Sequence, residues 1–235
     1  MNNKINKVIL GETCLCEFQL YRTGFIDGPH GCFDFTAIHL DSLKQVVEDN
    51  FDGLLNKENL EFLNYQYYPE IFYTKWLNTK YSGDKDNMFA WAVCSLFHLD
   101  ALESGRIECE EKQKSYQRKI KRTRTKFEDH KPTLLFYYYK PNKNYNVSLL
   151  KEKLEEFIDF IQKKYKKKFL VSLITYKEDK EKSIKVIEKN NIHHTIFHTP
   201  NDWAGADDNW SGESDNDLFD QYISNIKDFV KKLKN

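Results

Sequence analysis

The chain has 235 residues, enough to bury a full core, and its 36 Lys and Arg balance 36 Asp and Glu, so net charge selects no class of partner. Hydrophobic residues at 40% and aromatics at 15% exclude a disordered polymer, and no apolar run approaches the roughly 18 residues of a membrane helix. The start, Met1 to Lys7, is polar and lacks the apolar core of a signal peptide. Five cysteines make an odd count in a chain too large to need staples. They read as reduced, unbridged thiols in a cytoplasmic protein.

Taken in chain order, Val8-Ile9-Leu10 is a short apolar run closed by Gly11, which predicts a buried first strand. A helix is expected from about Cys14 to Thr23, stopped by Gly24. Residues 25–37 read as a structured loop. Asp41 and Ser42 offer an N-cap for a second helix, whose apolar residues Leu43, Val46, Val47 and Phe51 carry it to about Phe51. Residues 60–105 are aromatic-rich and fit neither the helical nor the strand period. The stretch 56–110 is therefore set apart as an insertion or cap on a single domain spanning 1–235. Met88 to Leu99 suits a helix or a strand equally. Gln113 to Phe127 predicts a basic helix with Tyr116, Ile120 and Phe127 facing inward.

From there the periods separate. Thr133 to Tyr139, Phe169 to Thr175 and Ile192 to His198 predict strands. Leu150, Leu154, Phe157, Ile158, Ile161 and Tyr165 form a helical stripe. Asp179 to Lys189 predicts a helix, and Leu218 to Leu233 a last amphipathic one. Strands alternating with helices argue an α/β fold of three layers: a mostly parallel central sheet with helices on both faces.

Cys14 is the foremost candidate for chemistry. It follows a strand and the turn Gly11-Glu12-Thr13 and opens a helix. A helix N-terminus supplies free N–H groups and a positive field, which stabilise a thiolate and could hold an oxyanion. The competing reading is a buried structural thiol. Cys14, Cys16, His30 and Cys32 are the residue types that bind zinc, but their C-x-C and H-x-C spacings are not those of a zinc knuckle, so no metal and no cofactor are assigned. His98, flanked by apolar residues, suits a core position or a base. Asp34, between two aromatics, could orient a histidine or cap a turn. His193, His194 and His198 are expected at an exposed strand-to-loop junction. Eight Lys or Arg between Lys112 and Lys126, with no acid among them, could bind phosphate or nucleic acid. A solvated helix face is the expectation there, and nucleic acid is not expected as a partner.

Three segments together resemble a poorly characterised family described as papain-like cysteine peptidases. They are Leu10-Gly11-Glu12-Thr13-Cys14, Phe18-Gln19-Leu20-Tyr21-Arg22-Thr23-Gly24-Phe25, and Cys32-Phe33-Asp34-Phe35. The family pattern starts with Ser-Leu-Gly-x-x-Cys and continues to Pro-Phe-Asp-Trp. Here Ile9 stands for the serine, Cys32 for the proline and Phe35 for the tryptophan. Phe97-His98-Leu99-Asp100 is similar to the family's histidine motif, with Leu99 inserted between His98 and Asp100. Tyr116, Arg118 and Arg122, then Leu134-Leu135-Phe136, resemble its Arg-rich helix and following strand. The resemblance implies Cys14 as nucleophile, His98 as base and Asp34 as the orienting carboxylate. It also implies a peptide, isopeptide or ester substrate, and a papain-like α+β fold as the alternative architecture. A binding module without chemistry, and a phosphate or nucleic-acid binder through residues 112–126, are the competing functions.

Overall fold

Seven consecutive apolar or β-favouring residues, Thr133 to Tyr139, are buried without exception, which requires a strand covered on both faces. In the computed structural model this strand lies inside a five-stranded sheet. The structure describes residues 5–11, 15–29, 31–33, 36–37, 40–56, 58, 60–68, 71–78, 80, 94–95, 110–139, 147–200 and 215–231. The strands of this sheet are β1 (Asn6–Gly11), β6 (Thr133–Tyr139), β7 (Phe169–Glu178), β8 (Ser183–Lys189) and β9 (Ile192–Thr199). Their order is β1-β6-β7-β9-β8. β1, β6, β7 and β9 run parallel, in registers that set Asn6 beside Thr133, Thr133 beside Phe169 and Val171 beside Ile192. Only β8 runs antiparallel, at the edge.

The alternation of side chains along these strands feeds two cores. Val8, Leu10, Leu135, Tyr137, Tyr139, Val171 and Leu173 meet one helical layer. It is built from α2 (Leu40–Glu48), α3 (Glu110–Glu128) and α4 (Val147–Tyr165). Ile9, Leu134, Phe136, Tyr138, Leu170, Ile174 and Phe197 meet the other. That layer holds α1 (Leu15–Arg22) and α5 (Asn216–Lys231). α4 buries Leu150, Leu154, Phe157, Ile158 and Ile161, a stripe at helical spacing, and each such side chain contributes about 1.5–3 kcal/mol. The expected three-layer α/β architecture, rather than the papain-like α+β alternative, is therefore what the described residues adopt. No described helix is long and apolar enough to cross a membrane.

A second, four-stranded antiparallel sheet has the order β2-β5-β4-β3. It contains β2 (Thr36–Ala37), β3 (Leu60–Tyr68), β4 (Ile71–Asn78) and β5 (Cys94–Ser95). The aromatic run that matched neither period is thus a hairpin, with β3 and β4 paired from Leu60↔Asn78 onward and a register slip between Gln66 and Tyr68. The rest of Met88 to Leu99 lies outside the described residues.

Two local expectations are corrected. The segment expected as a helix over Asp179 to Lys189 is the edge strand β8. Its Lys and Glu favour a helix locally, but Ile184, Val186 and Ile187 pair well with β9, and Asn190, at φ 52°, turns the hairpin. Lys185, Glu188 and Lys189 on an edge also discourage pairing with another chain. The second helix begins at Leu40, so Asp41 lies in its first turn and Ser42 is buried rather than capping it. It ends at Glu48. There Asn50 and Phe51 take left-handed conformations, and the Phe51 N–H donates to Val46 O at 2.8 Å. The first helix stops as expected: Gly24, at φ 63°, donates its N–H to Tyr21 O at 2.9 Å.

Candidate active site

In an open parallel sheet the carboxyl ends of the strands form the crevice where ligands bind. Here these ends are Gly11, Tyr139, Glu178 and Thr199. β1 ends at Gly11 and α1 begins at Leu15, so the three-residue connection that carries Cys14 leaves the sheet at this edge. Cys14 itself, with Asp34, His98, His30 and Cys109, lies outside the described residues.

α1 is locked to the start of α5. Leu20 is fully buried, and Gln19, also buried, donates from Nε2 to Asn216 Oδ1 at 2.9 Å. Arg22 donates to Gln19 Oε1 at 2.6 Å, to Asn216 O at 3.2 Å and to Asp220 Oδ1 at 2.7 Å. This network fixes the helix that begins one residue after Cys14.

A second set of contacts holds the chain just ahead of Asp34. The Cys32 N–H donates to Thr123 Oγ1 at 3.0 Å, and the Tyr116 hydroxyl donates to Cys32 O at 2.7 Å, both inside the core. Phe33 packs on Phe51 with ring centroids 5.8 Å apart. β2 then begins at Thr36, lies against β1 and pairs with β5, Thr36 opposite Ser95 and Ala37 opposite Cys94. Asp34 is two residues before Thr36, and His98 is three after Ser95. Tyr116 faces inward as the sequence predicts, but its Cys32 partner and the Thr123 anchor left no sign there, because a small polar residue on a basic helix looks solvated until its partner is known.

The other end of the same edge holds a separate pair. His198 Nδ1 lies 3.1 Å from Asp179 Oδ2, and this hydrogen bond holds the Asp179 carboxyl below the usual carboxylate range. Beside it, Thr199 donates to the buried Asp215 at 3.1 Å, and Lys182 bridges Asp215 at 3.3 Å and Asp217 at 3.2 Å. β6 and β7 separate β9 from β1, roughly 14 Å at about 4.8 Å per strand. His198 is therefore not adjacent to the connection after β1. The expectation of an exposed histidine junction is not met: even His198 is partly buried, with 16% of its side chain exposed. His193 and His194 are buried in the interior of β9, 0% and 2% exposed, because both faces of that strand are covered.

Cys32 is buried in the apolar core beside α2 and α3. Among the described residues no group of three metal-ligating side chains occurs. On α3, Tyr116, Ile120 and Phe127 face inward as expected, while Lys114, Arg118 and Lys121 are exposed. Its last basic residues are committed within the protein: Arg124 pairs with Asp52 at 2.8 Å, and Lys126 donates to Lys7 O at 2.9 Å. Compared with known proteins, the chain matches no family model, no curated protein and no solved structure.

Proposed function

We propose that this chain is a cysteine-dependent hydrolase or acyl transferase, with Cys14 as nucleophile, His98 as base and Asp34 orienting the base. The observation that supports the reading is the pairing of Thr36, two residues after Asp34, with Ser95, three residues before His98, on a strand pair of which β2 lies against β1, the strand that precedes Cys14. In this reading His98 takes the thiol proton, and the thiolate attacks a carbonyl of a peptide, isopeptide or ester. N–H groups of the first turn of α1 stabilise the oxyanion. His98 then returns the proton to the leaving group, and water or a second nucleophile releases the acyl group from sulfur. A thiol nucleophile works in its reduced form, which supports a cytoplasmic setting.

The test is labelling of the folded chain with iodoacetamide near neutral pH, followed by mapping of each cysteine. Cys14 should react faster than Cys16, Cys32, Cys94 and Cys109. His98→Ala and Asp34→Asn should slow it, and His198→Ala should not. Labelling of Cys14 that appears only after unfolding, or that ignores His98→Ala, refutes the reading.

A further inference from the structure

A cleft of about 260 Å³ lies between the amino-terminal half of α4 and the β8–β9 hairpin, away from the carboxyl edge residues discussed above. Lys151, Glu155, Lys189 and His194 form its polar wall, and Ile187 and Ile192 its apolar wall. Glu152 stands at the exposed rim. The volume falls just below the roughly 300 Å³ at which drug-sized sites begin, so its occupant is small.

His194 is the unusual member. Its ring is 2% exposed, its Nε2 lies 2.8 Å from Thr175 Oγ1, and its Nδ1 is shielded from solvent with no hydrogen-bond partner. Hydrogen-bond accounting assigns the tautomer. If Nε2–H donated to Thr175, the threonine hydroxyl hydrogen and Nδ1 would both be left unsatisfied inside the core. If Thr175 donates to Nε2, only the Nδ1–H remains. Burial, with the charge of Lys151 behind it, pushes the His194 pKa down to about 4, so at neutral pH the ring is uncharged. The group lining the cleft is therefore a neutral N–H donor in need of an acceptor, and leaving it unmet is costly.

The charges around it ask for the same thing. Lys189 is paired with Glu155 at 3.6 Å, whereas Lys151 makes no ion pair among the described residues. Burial lowers the Lys151 pKa, the neighbouring Lys189 lowers it further, and Glu155 offsets only part of this. An anion beside Lys151 would offset both effects. A carboxylate satisfies the whole set once the His194 ring turns its shielded Nδ1–H toward the cleft: one oxygen accepts from Nδ1–H, and the other meets the Lys151 ammonium. The isoleucine wall favours a short hydrocarbon body over a fully hydrated inorganic ion. We propose that this cleft binds a small organic carboxylate, held by His194 and Lys151 against Ile187 and Ile192.

The full chain is titrated with hexanoate, followed by the NMR signals of the His194 ring and by calorimetry, with hexanol and inorganic phosphate as parallel arms. Saturable binding of hexanoate that shifts the His194 ring is expected, together with at least about tenfold weakening in Lys151→Met. Lys151 is a partly exposed side chain on a long helix, so that variant should fold; unchanged unfolding midpoints confirm it. Hexanol should fail to shift the ring. Three results overturn the proposal: no saturable binding up to about 10 mM hexanoate, which leaves Nδ1 to a resident water; phosphate binding in place of hexanoate; or hexanoate binding that Lys151→Met does not weaken.

Discussion

Protonating His194 should destabilise the fold, and the effect can be isolated. The ring is buried between β9 and α4, and burial lowers its pKa from 6.5 to about 4. The native state therefore resists a proton that the unfolded chain accepts. Above about pH 6.5 neither state binds it, and stability is complete. Between 6.5 and about 4 the unfolded chain alone is protonated, so stability falls by about 1.4 kcal/mol per pH unit as the pH drops. Below about 4 both states bind it, and the accumulated loss is on the order of 3 kcal/mol. That is a large share of the 5–15 kcal/mol typical of a domain. His194→Gln keeps a polar side chain of similar size that does not titrate. Urea unfolding of both proteins from neutral pH down to about 4 gives the difference directly. The native chain should lose about 3 kcal/mol more than His194→Gln over this range. Parallel curves would refute the assignment of a neutral, desolvated ring.

Phe127 is fully buried, with ring centroids 5.7 Å from Phe51, 5.6 Å from Tyr165 and 5.5 Å from Phe169. Phe127→Ala should cost about 3–5 kcal/mol in chemical unfolding, since it empties the junction of α2, α3 and α4. Tyr116→Phe leaves the buried Cys32 carbonyl without its donor and should cost about 1–2 kcal/mol; if the proposed site is correct, it should also slow Cys14 labelling. Gly24→Ala meets no atom within 4 Å, so only the left-handed φ of 63° opposes it, and thermal unfolding should show a loss of about 1 kcal/mol. Arg22→Ala removes an ion pair whose partners are 36% and 60% exposed, and the loss of that pair alone should cost less than about 1 kcal/mol.

The central architecture was legible in the residues alone, because the physics that places β6, β7, α4 and α5 is local. A continuous apolar run of strand length can only be covered on both faces, and apolar residues recurring at 3.6 can only bury one stripe. Gly24 marked the end of α1 for an equally local reason, its tolerance of a left-handed backbone. Cys14 was legible as a candidate in the same way, from the strand before it and the helix after it. Features that stayed hidden depend on partners distant in the chain. Residues 179–189 carry helix-forming Lys and Glu, yet Ser183–Lys189 is a strand because β9 presents an open edge whose backbone bonds outweigh a weak propensity. The β3–β4 hairpin hid because its aromatic residues occur at both alternating positions, which erases the period-two signal. Thr36 opposite Ser95, and Thr123 and Tyr116 on the Cys32 backbone, leave no trace in any single segment. His194 reads as a polar residue near a loop until α4 and β8 close over it. Burial, which sets its charge state, is a property of all three elements together.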